Sequence, residues 1–108
     1  MAPPTGTFLV AYLGDDAVGC GGLKTLAPGL GEVKRMYVAP EARGRGLGRR
    51  LLAALEDAAR DLGLRALRLD TNERMPEARR LYETSGYRAI PPYNDNPYAA
   101  FWFEKRLG

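Results

Sequence analysis

The sequence predicts an α/β (α+β) fold, a mixed, mainly antiparallel twisted sheet with one parallel βαβ unit and helices packed on it. Three observations lead there. Segments rich in β-formers and parted by turn residues open and close the chain. A leucine-faced stretch of helical period lies between two strand-like segments, and strands joined through a helix run parallel. A second helical stretch starts at Pro76 and stops at Gly86.

TFLVAYL (7–13) reads as the first strand, Gly14-Asp15-Asp16 as a turn and AVGCGGLKTL (17–26) as a returning strand loosened by glycines, together an antiparallel hairpin. After Ala27-Pro28-Gly29, EVKRMYV (32–38) is a third strand, unusually polar and ended by Pro40, which cannot donate to a ladder. Leu47, Leu51, Leu52, Leu55, Ala58, Ala59 and Leu62 share one helical face. With Gly63 as terminating residue they predict a helix from Gly46 to Leu62. LRALRLD (64–70) then returns parallel to EVKRMYV through a right-handed crossover. In the second helix Ala78, Leu81, Tyr82 and Ser85 share a face. YRAI (87–90) and YAAFWFEKRL (98–107) read as closing strands around the proline-rich loop from Pro91 to Pro97.

A chain of 108 residues, 45% hydrophobic and 27% charged, fits one globular domain. At that length folding hides roughly 65% of the unfolded surface, so oligomerisation would add useful stability. No apolar run approaches the roughly 18 residues of a membrane span, and MAPPTGTF lacks the plan of a signal peptide, so a cytoplasmic protein without a membrane partner is expected. With one cysteine and no histidine, an internal disulfide, histidine triads, a Cys-His pair and the usual zinc sites are excluded, and no metal is expected. Cys20, set among glycines, is expected to be a small buried packing residue. The net charge of +3 is too mild to imply a polyanion partner, but Arg43, Arg45, Arg49 and Arg50 gather at one helix end, where an anion could dock.

RGRGLG (43–48) sits at that end. Its glycines let consecutive N–H groups turn toward one anion, and the following helix adds its unpaired donors and dipole. Walker A fails because no lysine follows, and a Rossmann pattern needs glycine where Arg49 stands. No broad basic face or interleaved aromatics mark a nucleic-acid module near residue 43, and no nucleic acid is expected. A phosphate cradle and a glycine-rich turn with solvated arginines both remain open on the glycines alone.

VKRMYVAPEARGRGLGRRLL followed by LDTNERMPEARRLYETSGYRAI resembles the GNAT superfamily of acetyl-CoA-dependent N-acetyltransferases. The signature [QR]xxG-x-[GA] falls on Arg43 to Gly48, with LYxxxGY downstream at Leu81 to Tyr87, and the likeness spans about residues 7–107. The resemblance implies a GNAT-like acyl-CoA N-acyltransferase fold with acetyl-CoA, or coenzyme A, as co-substrate. Its pyrophosphate would lie on backbone amides of Arg43, Gly44, Arg45, Gly46, Leu47 and Gly48, with Arg49 beside them. The pantetheine arm would run along Met36, Tyr37 and Val38 in a cleft where strand 32–38 splays from strand 64–72, with Asn72 contacting it unless that residue caps a turn. Tyr82 matches the tyrosine that protonates the departing thiolate, although it could simply pack with Ala78 and Leu81. Glu32 stands where a carboxylate often deprotonates the amine; pairing with Lys34 is the other reading. Tyr93, Asn94, Asp95 and Asn96 would lie near the acceptor, in a segment that is also ordinary turn chemistry.

Two departures from the family stand out. Asn72 and Tyr82 are ten residues apart, with Pro76 opening the helix late, and the chain is read as a single domain without the usual first strand and following helices. The expected activity is direct transfer of an acetyl group to a primary amine of a small molecule or peptide, by a homodimer. A catalytically silent CoA-binding protein and an anion- or nucleic-acid-binding module are the alternatives.

Overall fold

A computed structural model of the chain describes residues 6–42, 44, 46–72 and 76–108. The strands are β1 (Gly6–Leu13), β2 (Asp16–Ala27), β3 (Leu30–Val38), β4 (Ala66–Thr71), β5 (Arg88–Ala89) and β6 (Phe101–Arg106). A 3-10 turn (Pro40–Ala42) leads from β3 to helix α1 (Leu47–Asp61), and α2 (Pro76–Thr84) follows β4. The sheet order is β1-β2-β3-β4-β6-β5, with β3 and β4 the parallel pair and the other neighbours antiparallel.

Both helices pack on one face of the sheet. Leu52, Leu55 and Ala59 of α1 meet Tyr82 of α2, Leu67 and Leu69 of β4 and Phe103 of β6 in one buried cluster. Burying each such leucine contributes about 1.5–3 kcal/mol. Period-two alternation puts Leu67, Leu69 and Thr71 under the helices and leaves Arg68 and Asp70 on the far face. Gly31 has no room for a side chain, since a Cβ there would lie 2.7 Å from Leu64 Cδ1 and 2.9 Å from Leu67 Cδ2.

The feature that makes a site is the short reach of the parallel pairing. β3 and β4 are joined at Leu30–Ala66, Gly31–Leu67 and Glu32–Arg68, and then the register ends. β3 bulges just beyond. Gly22 pairs with Lys34 and Cys20 with Tyr37, so Arg35 and Met36 share the single position opposite Gly21. Arg35 takes a left-handed φ of 54°, and its carbonyl accepts from Cys20 Sγ at 3.6 Å. A bulge bends its strand and adds twist, which carries the second half of β3 away from β4.

Several details differ from the sequence-based expectations. α1 begins at Leu47 and ends at Asp61, because Gly46 is a left-handed N-cap (φ 73°) and Leu62 caps the other end. The segment YRAI gives a strand of only Arg88 and Ala89, with one more bond from Ile90 N to Trp102 O (2.9 Å) before Pro91 and Pro92, which can donate no further rung. β6 starts at Phe101, because Asn96 holds residues 96–99 in a turn through its side-chain bond from Tyr98 N and its carbonyl bond from Ala99 N. Cys20 is half-exposed, its register with Val10 and Tyr37 placing it on the face away from the helices.

Candidate active site

A cleft of about 720 Å³ opens where β3 leaves the sheet. One wall is Met36, Tyr37 and Val38, its floor is Gly44, Gly46, Leu47 and Gly48 at the start of α1, and α2 supplies the other wall through Pro76, Ala78, Leu81 and Tyr82. Gly44 and Gly46 have φ of 83° and 73°, and a Cβ at either would meet nothing within 4 Å, so the backbone here faces open space. Among the described residues no side chain caps α1, so its first-turn N–H groups can face an anion. Arg43 and Arg45 lie outside the described residues.

Arg49 does more than line this floor. Its guanidinium donates to Thr84 O (3.3 Å), Thr84 Oγ1 (2.8 Å) and Ser85 Oγ (3.1 Å), tying the start of α1 to the end of α2. These bonds satisfy carbonyl and hydroxyl groups at a helix C-terminus, where a cation is also favoured by the dipole. The cleft's two helical sides are thereby held at a fixed spacing.

Tyr82 is 4% exposed and packs edge-on against Tyr87, with ring centroids 5.8 Å apart. Its hydroxyl bonds to no described neighbour, and no buried polar side-chain atom among the described residues lacks a partner, so the hydroxyl opens onto the cleft. Burial, and then the charge of Asp70, push its pKa up to about 12. The phenol is therefore protonated at neutral pH and available as a donor.

Across the split, the far face carries a polar network. Glu32 is 3% exposed; its Oε1 pairs with Lys34 Nζ at 3.1 Å, and its Oε2 accepts from Tyr93 OH at 2.6 Å. Burial and the bonded Glu32 carboxylate raise the Tyr93 phenol well above its usual range. Asp70 accepts from Asn94 Nδ2 (2.7 Å) and Asn96 Nδ2 (3.2 Å), and Asn94 Oδ1 accepts from Trp102 Nε1 (3.0 Å). Segment 93–96 is thereby strapped over the sheet where β3 and β4 part.

The structure brings Met36, Tyr37, Val38, Gly44, Gly46, Leu47, Gly48, Arg49 and Tyr82 to one cleft. Glu32, Tyr93 and Asn94 gather on the opposite face. Asp95 is exposed, and neither it nor Asn72 is among the described residues that line the cleft. Sequence reasoning missed Asp70, Trp102 and Arg80, the last a cleft-lining cation on α2. The signal for Asp70 was present. It follows Leu67 and Leu69 on a parallel strand and lies near its carboxyl end, where open sheets place ligands.

The sequence model of the Acetyltransferase (GNAT) family matches residues 1–87. The chain belongs to this family. Its relatives include an IAA acetyltransferase of Azospirillum brasilense, 42% identical over 99% of this chain and 72% of that protein. A Bacillus subtilis N-acetyltransferase is 32% identical over 94% of this chain and 71% of its own length. A Klebsiella pneumoniae structure provisionally named an acyl-CoA N-acyltransferase superposes with a TM-score of 0.87 at 38% identity, covering 100% of this chain and 77% of that one. The fold is also that of the PaiA N-acetyltransferase from Thermoplasma acidophilum in complex with coenzyme A, with a TM-score of 0.82 at 24% identity, covering 94% and 61%. As a GNAT protein the chain is an acyltransferase, and members of its fold bind coenzyme A.

Proposed function

We propose that this GNAT protein transfers the acetyl group of acetyl-CoA directly to a primary amine of a small molecule or peptide. The observation that carries the reading is the continuity of the cleft, from the backbone donors at the start of α1 to the hydroxyl of Tyr82 beside the strand split. The residues present fit a CoA group. Side-chain-free backbone at Gly44 and Gly46 leaves room for a pyrophosphate, and the bulged second half of β3 lines a channel for the pantetheine arm.

When bound, acetyl-CoA supplies an acetyl group activated as a thioester. The amine must arrive from the far face through the split, and its nitrogen must be neutral to attack. Tyr82 then gives its phenolic proton to the departing sulfur, a bond needed mainly in the transition state. Cys20 stands on β2 with its thiol on Arg35 O and takes no part, so transfer is sequential without a covalent enzyme intermediate. Glu32, the base implied by the family, would have to release Tyr93 or Lys34 to accept a substrate proton.

Named relatives act on varied acceptors, among them an aminoalkylphosphonate N-acetyltransferase of Salmonella typhimurium and an amino-acid acetyltransferase of Neisseria meningitidis. A small amine that also carries an anionic group belongs in any acceptor panel. Thermal shift with CoA, acetyl-CoA and an oligonucleotide, followed by thiol release over amines and peptides, tests the proposal. Stabilisation by CoA with amine-dependent thiol release is expected; stabilisation by the oligonucleotide alone would overturn it.

A further inference from the structure

We infer that Asp70, rather than Glu32, is the carboxylate that receives the acceptor amine, holding its ammonium on the far face of the strand split and taking one of its protons. The inference rests on the transferase reading above and adds to it the residue that meets the acceptor.

Among the described residues, the carboxylates of Glu32, Asp70 and Glu104 share that face. Glu32 has one oxygen on Lys34 and the other on Tyr93. Glu104 is neutralised by Arg68 Nε at 2.8 Å, with Arg88 Nη2 at 3.9 Å. Asp70 alone among the three has no cation partner among the described residues. Its bonds come from two uncharged amides, one on each oxygen. Amide donors fix the direction of a carboxylate without cancelling its charge, and each carboxylate oxygen can accept about two hydrogen bonds. One acceptor site on each oxygen therefore remains.

The position matches the charge. Asp70 lies two residues beyond the last rung between β3 and β4, Glu32–Arg68, at a level where the strands have parted. It points to the face opposite the helices and Tyr82. The Asp70 charge reaches Tyr82 and Tyr93, contributing after burial to the raised pKa of each. Asn94 is itself oriented by the Trp102 indole N–H on its Oδ1, which fixes its NH₂ group toward Asp70. A half-buried carboxylate lacking a counter-ion is costly, and a bound ammonium relieves that cost.

The proton step is complete in itself. An N–H bond of the ammonium breaks, an O–H bond forms on Asp70 Oδ1 or Oδ2, and the nitrogen keeps the electron pair it needs for attack. The carboxylic acid then returns its proton to water. Glu32, through Tyr93, acts as a positioning residue for segment 93–96.

The test compares Asp70→Asn and Glu32→Gln with the wild type, using the amine that the wild type turns over fastest. Asp70→Asn should lower kcat/KM for the amine about 100-fold or more while changing KM for acetyl-CoA less than about threefold, and Glu32→Gln should cost less than about tenfold. A CoA-induced melting shift equal to wild type verifies that each variant is folded. In ¹⁵N spectra of the CoA-bound protein, added amine should move the side-chain amide signals of Asn94 and Asn96, and Asp70→Asn should abolish that response. An active wild type with an unimpaired Asp70→Asn variant, or an unchanged amide response in that variant, overturns this assignment alone. A wild type that releases no thiol with any amine overturns the transferase reading and this assignment together.

Discussion

At the scale of single residues, the proposed chemistry rests on Tyr82 and its surroundings. Replacing Tyr82 by Phe removes the proton donor but keeps the ring against Tyr87 and Phe103, so kcat should fall about 100-fold with CoA affinity unchanged. Steady-state kinetics beside CoA titration checks this. The pKa of Tyr82 also links it to stability. Folding raises it from 10.0 to about 12, so between those pH values the unfolded chain releases a proton that the folded chain keeps, and stability falls as pH rises. The loss from Tyr82 amounts to about 2–3 kcal/mol at most, and the raised phenols of Tyr87 and Tyr93 act in the same sense. Denaturant unfolding at pH 8 and pH 11 should show a larger loss in wild type than in Tyr82→Phe. The position of Tyr82 was readable from LYETSGY and the helical period. The partners of Glu32 were only half readable, since Lys34 is two residues away in sequence, whereas Tyr93 arrives from 61 residues away.

At the scale of elements, the start of α1 and the crossing of β3 under it determine the cleft. Gly46→Val places a β-branched residue in the left-handed region at a cost of about 1–2 kcal/mol and sets its side chain in the open space over the cradle. CoA affinity should fall about tenfold or more, measured by calorimetry; unchanged affinity would remove the cradle from the account. Gly31→Ala tests packing without touching the cleft. Its Cβ would press on Leu64 and Leu67, and urea unfolding should show a loss of about 1–3 kcal/mol. The helices and long strands were legible because leucine spacing and alternation report burial directly. The bulge at Arg35 was not, because nothing local in KRMYV marks a left-handed arginine. It arises from pairing two residues of β3 against Gly21. The full length of β6 was overread for a similar reason, with Asn96 side-chain bonds displacing a strand that composition alone favours.

At the scale of the whole molecule, the proposed function divides the sheet: helices and the cleft on one face, an acidic and amide-rich network on the other, joined where β3 and β4 part. β1 is an edge strand whose outward residues Phe8 and Val10 are 55% and 42% exposed, next to Tyr37 at 49%. The homodimer expected from the sequence would cover such a surface. Sedimentation equilibrium should return twice the 11.9 kDa chain mass at micromolar concentration, and a concentration-independent monomer would argue against it. No helix among the described residues is long and apolar enough to cross a membrane. In the proposed reaction the two faces act together through the split. Amine-dependent thiol release from acetyl-CoA, followed in wild type and Tyr82→Phe, tests it most directly. Turnover in the wild type should require an amine and fall about 100-fold in the variant, with CoA still bound. Tight CoA binding with no thiol release for any primary amine would contradict it.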